Sequence, residues 1–289
     1  MGTYLNHAKL HFGTDARGLL EGGRYALMHT RTLEFDELRP YVPGDDVRDI
    51  DWKASARSGT VLTKRFVSEK HHKVLLVADA GRNMSALTPS GETKRDVAVA
   101  VMGAFGLITM TRLDEIGMVY GDARGCTNVR GRRGETHIEG MLDRFYRHTL
   151  SQPGASDIVT QLEYVASAHR RRLLIVVVSD EPDIDDRLGE VLQQLTGRHE
   201  VMWAMVADMP AVGRGDGIDG YDVSGGEVVL GAAATDRRVV AAYRRAEYER
   251  AVELDELLTS HAVPYTKIGG SDQIRPRIVE MTQVASRAG

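Results

Sequence analysis

The chain has 289 residues, enough for one large domain or two ordinary ones, which excludes a miniprotein and a long repeat array. Lys and Arg number 37 against 41 Asp and Glu, giving a net charge of -4 and a pI near 6.2, which is not the balance of a dedicated nucleic-acid binder or a membrane-surface protein. The single cysteine, Cys126, closes no internal disulfide and builds no multi-cysteine zinc site, so a reducing compartment is expected.

Residues 1 to 72 show no strand–helix alternation and mix charges of both signs densely, the usual texture of a solvated face; they are read as an N-terminal appendage. The first ten residues contain no basic head followed by an apolar run, and position 6 is Asn6 where a myristoylation motif needs Ser or Thr. From Val74 onward, short aliphatic runs alternate with helical stretches, as in a parallel sheet wrapped by crossover helices. Val74 to Ala78 is the first strand, and Thr93 to Met110 a helix apolar nearly all round. The uncharged stretch Val97 to Thr111 that overlaps it is too short for a bilayer, so a buried helix, no membrane span and a cytoplasmic protein are expected.

Glu115 to Tyr120 is a second strand, followed by a Gly- and Arg-rich loop through Gly134 and helices over Glu135 to His148 and Ser156 to Arg170. Leu173 to Val178 is aliphatic without alternation, as for a strand buried on both faces at the middle of the sheet. A helix over Asp183 to Leu195 and a strand over Glu200 to Ala207 come next, broken by Asp208 and Pro210. The turn-rich Gly213 to Gly231 carries an edge strand at Glu227 to Leu230. A long charged helix over Asp236 to His261, a strand over Pro264 to Ile268 and a helix over Gln273 to Ala285 complete the chain.

The densest motif runs from Leu33 to Arg57, with Arg39, Tyr41, Pro43, Gly44, Asp45, Asp46, Arg48, Asp51, Trp52 and Arg57 as its chemistry-bearing members. Pro43 fixes φ, Gly44 permits positive φ, and Asp45 can fold its carboxylate onto backbone N–H groups, so this is a sharp turn. Structurally, Arg39, Arg48 and Arg57 pair with Asp46, Asp49 and Asp51 and weld the appendage to the sheet, with Trp52 as apolar anchor. Functionally, the same residues face a partner, since Arg and Trp are enriched at interaction hot spots. Opposite charges at short spacing more often satisfy each other, which favours the structural reading.

This motif, together with the strand that ends at Asp79, resembles the signature of the domain-of-unknown-function 58 family, a bacterial group with a von Willebrand factor A-like domain. The resemblance spans Phe35 to Asp79, and the strand order beyond fits the family to the C-terminus. It implies an α/β fold, a von Willebrand factor A-like (Rossmann-like), mostly parallel sheet with helices on both faces over residues 73 to 289, plus the appendage over 1 to 72. It further implies a non-catalytic adaptor that works with a MoxR-type AAA+ ATPase in assembly or maturation of other proteins.

In von Willebrand factor A domains the first strand ends in Asp-x-Ser-x-Ser, whose oxygens help to bind Mg²⁺ with a Thr and an Asp from later loops. The resemblance therefore implies a degenerate metal site of Asp79, Asn83 and Asp180, with Ser179 beside it and Thr127 as a weak further ligand. Gly81 has no side-chain oxygen and Arg82 adds a positive charge, although Mg²⁺ keeps several waters and tolerates one missing hydroxyl. The alternative is that Asp79 and Asp180 cap backbone donors with no ion. No other cofactor is indicated.

Catalytic signatures are scarce: no Walker loop, Gly-x-Ser-x-Gly elbow or His-Glu-x-x-His pair occurs. The glycine-rich Gly213 to Gly217 opens no helix, and the neighbours His71 and His72 point to opposite faces of a strand. Cys126, among Arg124 and Arg130, would have a lowered thiol pKa if exposed. The enzyme alternative is a metal-dependent phosphoryl or ester hydrolase that uses Asp79, Asp180 and the Asp45/Asp46 pair, but no general base or nucleophile accompanies them. For binding, the expected edge is the carboxyl ends of the strands, where Arg82, Arg130, Arg132 and Arg133 form a basic rim for a partner carboxylate.

Overall fold

The computed structural model describes residues 2–13, 34–42, 45–67, 73–151, 153–212, 219–231 and 235–288. It divides into two compact units, one of residues 1–27 and 72–289 and one of residues 28–71. Pro43, Gly44, His71, His72 and the Gly213 to Gly217 run lie outside the described residues.

The chain starts with helix α1 (Thr3–Phe12), which buries Leu5, Ala8 and Phe12 as a single stripe. Expected in the appendage, α1 instead belongs to the larger unit, because its stripe meets the buried helix there. In the smaller unit, strands β1 (Glu34–Pro40) and β2 (Leu62–Val67) pair antiparallel around helix α2 (Trp52–Ser58). Tyr41 N–H donates to the Val61 carbonyl and Asp51 N–H to the Leu62 carbonyl, both at 2.9 Å, which ties the three segments together.

The larger unit holds a six-stranded sheet of β3 (Lys73–Asp79), β4 (Glu115–Asp122), β5 (Gly125–Arg132), β6 (Leu174–Ser179), β7 (Glu200–Val206) and, last in the chain, β10 (Tyr265–Ile268). Its order is β10-β7-β6-β3-β4-β5, parallel except for β5 against β4. Counted by appearance from the β5 edge this is 3-2-1-4-5-6, the doubly wound order whose reversal falls between β3 and β6. The two most aliphatic runs thus lie side by side at the centre, as their lack of alternation requires.

Helices cover both faces. On one, Leu75, Val77, Ile175, Val177 and Trp203 pack against α5 (Ile158–Ala168), α6 (Asp186–Thr196) and the Leu254 and Leu258 end of α7 (Arg237–Ser260). The other carries α3 (Lys94–Arg112), which is buried nearly all round because α1 and α4 (Glu135–Leu150) cover its outer side. Gly103 and Gly106 permit the close approach: a Cβ at Gly103 would lie 2.7 Å from Ala8 Cβ, and one at Gly106 2.7 Å from Ile138 Cγ2. Glu139 accepts the Tyr4 and Leu5 N–H groups (3.2 and 2.6 Å), capping the start of α1 from α4. The final helix is α8 (Ile274–Ala288). No helix of the described residues is long and apolar enough to cross a membrane.

Two expectations fail. The Gly- and Arg-rich segment after the second strand is not a loop but β5, folded back on β4 through a turn at Ala123 and Arg124. Glycines make that hairpin: a Cβ at Gly121 would sit 2.7 Å from Cys126 Cα, and one at Gly117 2.9 Å from the Val129 carbonyl oxygen. The strand near Glu227 is not at the edge of the large sheet, since β9 (Val228–Val229) pairs with β8 (Gly220–Tyr221) in a separate ribbon.

Candidate functional site at the carboxyl ends of the central strands

Parallel pairing in register brings the ends of β3, β6 and β7 level, since Ala78 is opposite Val178 and Val178 opposite Ala204. Asp79 therefore emerges level with Ser179, one residue before Asp180, and Asp208 follows two residues past the end of β7. Asp79 is 1 % exposed; its Oδ1 accepts the Gly81 N–H at 2.9 Å, and its Oδ2 has no partner among the described residues. Burial, and then the neighbouring Asp180 carboxylate, push the Asp79 carboxyl up to about 7, against the pull of the Ser156 hydroxyl, the Gly81 N–H and the Lys94 ammonium.

Asn83, on the 3₁₀ turn Arg82–Ser85, donates its Nδ2 to Asp180 Oδ2 at 2.7 Å, which leaves its own Oδ1 buried and without a partner among the described residues. Lys94 opens α3 one residue after its cap Thr93 and is 1 % exposed. Its ammonium lies 3.4 Å from Asp180 Oδ2 and forms a closer ion pair with Asp208 Oδ1. Behind them, Ser179 Oγ accepts the Trp203 indole N–H at 2.9 Å.

Residues 153–157 form the near wall. Gly154 donates its N–H to Asp122 Oδ2 at 2.8 Å and accepts from Arg82 N–H at 2.9 Å, while Ser156 Oγ accepts the Asn83 N–H at 3.3 Å. The space a serine would need at position 81 is filled by Ser156, whose Cα and N would lie 2.5 and 2.6 Å from a Gly81 Cβ. Asp122 anchors this wall: it also binds the Arg124 N–H and guanidinium, and that guanidinium in the first place holds its carboxyl far below the usual range. Sequence reasoning missed Lys94, Ser156 and this anchoring role of Asp122. A lysine at a helix start reads as solvated, and Ser156 has no local motif.

The predicted ligands Asp79, Asn83 and Asp180 do come together, but not as a Mg²⁺ shell. Asp180 Oδ2 is taken by an amide and an ammonium, and Gly81 offers no oxygen. Thr127 lies on β5 opposite Tyr120, two strand spacings or roughly 10 Å across the sheet from β3. Among the described residues no three His, Cys, Asp or Glu side chains converge as a cation cage. The residues present do not fit the metal.

Other expectations change too. Arg82 is exposed at the crevice, but Arg132 pairs with Ile116, which lies opposite Val74 at the far end of β3. Five residues of strand, roughly 16 Å, separate that level from Asp79, so exposed Arg130, Arg132 and Arg133 run down the sheet edge and form no rim around the site. Burial raises the Cys126 thiol, so the neighbouring arginines do not activate it.

In the smaller unit the charges act locally. Asp45 accepts from Arg39 at 2.6 Å and from the Val42 N–H at 3.0 Å. Asp46 caps the Arg48 N–H, and Asp51 caps Lys53 and Ala54 N–H at the start of α2. Asp46 and Asp51 thus cap backbone donors, Arg39 pairs with Asp45 and not with Asp46, Asp49 or Asp51, and Arg48 and Arg57 make no ion pair among the described residues. Asp45 and Asp46 are thus engaged, which removes the second carboxylate pair from the hydrolase reading. Trp52, expected as a buried anchor, is 67 % exposed, because the first turn of α2 turns it outward while Asp51 faces the backbone; Tyr41 is half-buried.

Strand order, the antiparallel edge and the acidic strand ends define the class: a von Willebrand factor A-like α/β domain. The chain belongs to the family described as "Protein of unknown function DUF58", which matches residues 37–251. Among curated proteins it is similar to "Uncharacterized protein Rv1480" of Mycobacterium tuberculosis and "Uncharacterized protein Mb1516" of Mycobacterium bovis, 28% identical over 197 residues in each. The alignment covers 66% of this chain and 60% of each relative, so the chain spans well under the full length of these proteins. Among solved structures it is similar to the von Willebrand factor type A protein from Catenulispora acidiphila (TM-score 0.39, 11% identity, 78% of this chain and 44% of that one). It is also similar to the SpRpn10 VWA domain (TM-score 0.36, 12% identity, 49% and 78%).

Proposed function

We propose that the chain is a protein-binding module that works with a MoxR-type AAA+ ATPase as an adaptor in assembly or maturation of other proteins, in the cytoplasm, where the lone thiol Cys126 is at home. The observation that carries the protein-binding part is the exposed apolar set Leu38, Val42, Val47, Trp52 and Val61 in the smaller unit. Single exposed apolar residues need no explanation, but these fall in one short stretch. The Tyr41–Val61 and Asp51–Leu62 backbone bonds bring the chain at Val42, Trp52 and Val61 together. Tryptophan on such a patch is the usual anchor of an interface. The ATPase as partner, and the division into a sheet domain and a partner-facing N-terminal unit, rest on the family resemblance.

The test is affinity capture of a purified MoxR-type ATPase from the same source by the parent and by Trp52→Ser. The proposal expects capture by the parent and its loss in a variant of unchanged melting temperature. Equal capture by both contradicts the assignment of the patch. Turnover of phosphoesters by the purified chain, lost on substitution of Asp79, contradicts the adaptor reading and supports the hydrolase.

A further inference from the structure

The position where a cation would neutralise the acidic strand ends already holds one. Lys94 is the first residue of α3, where the helix macrodipole disfavours positive charge, so helix energetics do not explain a lysine there. Nor does the environment alone: a buried ammonium is costly unless paired. Its pairing is what the geometry supplies. The Nζ lies 3.4 Å from Asp180 Oδ2, pairs more closely with Asp208 Oδ1, and is near enough to Asp79 to favour its charged form. One side chain thus pairs with carboxylates that follow two adjacent strands, β6 and β7.

We infer that the Lys94 ammonium is the resident cation of this crevice and makes it independent of divalent metal. The surroundings are fitted to it. Asn83 donates its amide N–H₂ to Asp180 Oδ2, so that carboxylate oxygen is already engaged by an amide and an ammonium, and Ser156 fills the place of the missing side chain at position 81. Because the ammonium is buried and held by two carboxylates, it has no open coordination position at which a partner's carboxylate could complete a shell. Partner binding by the chain therefore needs no divalent metal at this edge and proceeds in the presence of a chelator, a consequence that rests on the protein-binding reading above.

The test is thermal unfolding of the full chain in excess EDTA and in millimolar Mg²⁺ or Mn²⁺, for the parent, Lys94→Met and Lys94→Met/Asp180→Asn. The parent melts at one temperature under all conditions. Lys94→Met melts roughly 10 °C lower, the loss expected when one partner of a buried ion pair is removed. The double variant, which removes the stranded carboxylate as well, recovers at least half of that loss, and it still reports if Lys94→Met does not fold. A rise in the parent's melting temperature with Mg²⁺ or Mn²⁺, abolished by Asp79→Asn, overturns the inference. So does a Lys94→Met variant that melts with the parent, or a double variant no better than the single. None of these thermal readings depends on a partner, so a failure of the adaptor reading is seen separately, in the capture assay.

Discussion

Adding one methyl group at Gly81 should be among the most damaging small changes in the larger unit. The backbone there has φ -76° and ψ -176°, which any residue adopts, so the penalty is purely steric. A Cβ would lie 2.5 Å from Ser156 Cα and 2.6 Å from Ser156 N, and since these are backbone atoms no rotamer change relieves the clash. The segment at 153–157 must retreat by roughly 1 Å to restore van der Waals contact. That retreat breaks the Arg82–Gly154 bond of 2.9 Å and the Asn83–Ser156 bond of 3.3 Å. Two hydrogen bonds at about 1 kcal/mol each, plus overpacking of about 1–2 kcal/mol, give about 3–4 kcal/mol. The same substitution at Gly140 or Gly189, each inside a helix with nothing within 4 Å of the added Cβ, should instead stabilise by about 0.5–1 kcal/mol. Urea unfolding of the three Gly→Ala variants, read by circular dichroism, measures all three values. If Gly81→Ala matches Gly140→Ala in sign and size, the wall at 153–157 is not held as described.

Asp122→Asn should cost about 2 kcal/mol at neutral pH, through loss of charge-assisted bonds to Arg124 and Gly154. Because the folded carboxyl lies below its unfolded value, that contribution is present above the ordinary carboxylate range and fades as pH falls through it; urea titrations should show the gap between parent and variant closing below about pH 4. Glu139→Ala should release the start of α1 and cost about 1–3 kcal/mol, seen as faster proteolysis near Phe12 and a lower melting temperature. Trp52→Ala should change stability by no more than about 0.5 kcal/mol, as for an exposed side chain; a loss of several kcal/mol in denaturant titration would restore the buried-anchor reading.

The sheet domain is legible in the sequence because its central strands are aliphatic without interruption and α3 is apolar on every side, patterns that only double-sided burial explains. The strand β5 is not legible, since Gly125, Asn128, Arg130, Gly131 and Arg132 have loop composition; its pairing depends on glycines in β4, which a local window does not connect to it. The acidic strand ends Asp79 and Asp180 follow from motif position. Their partners do not, because Lys94 and Ser156 reach them through the fold, across 86 residues in the case of the Lys94–Asp180 pair. In the smaller unit the carboxylates are found in the expected segment, but Asp46 and Asp51, short acidic side chains near helix starts, bond backbone N–H groups that a charge-pattern reading does not count, and Trp52 faces outward.

Calorimetric titration of a purified MoxR-type ATPase into this chain, in EDTA and with Trp52→Ser alongside, decides whether the exposed apolar set is a metal-independent docking surface. Saturable binding by the parent in chelator is expected, with affinity at least roughly tenfold weaker for the variant, the loss of a hot-spot aromatic. Absence of heat with the parent, or binding that requires Mg²⁺ and ignores Trp52, would contradict this docking role.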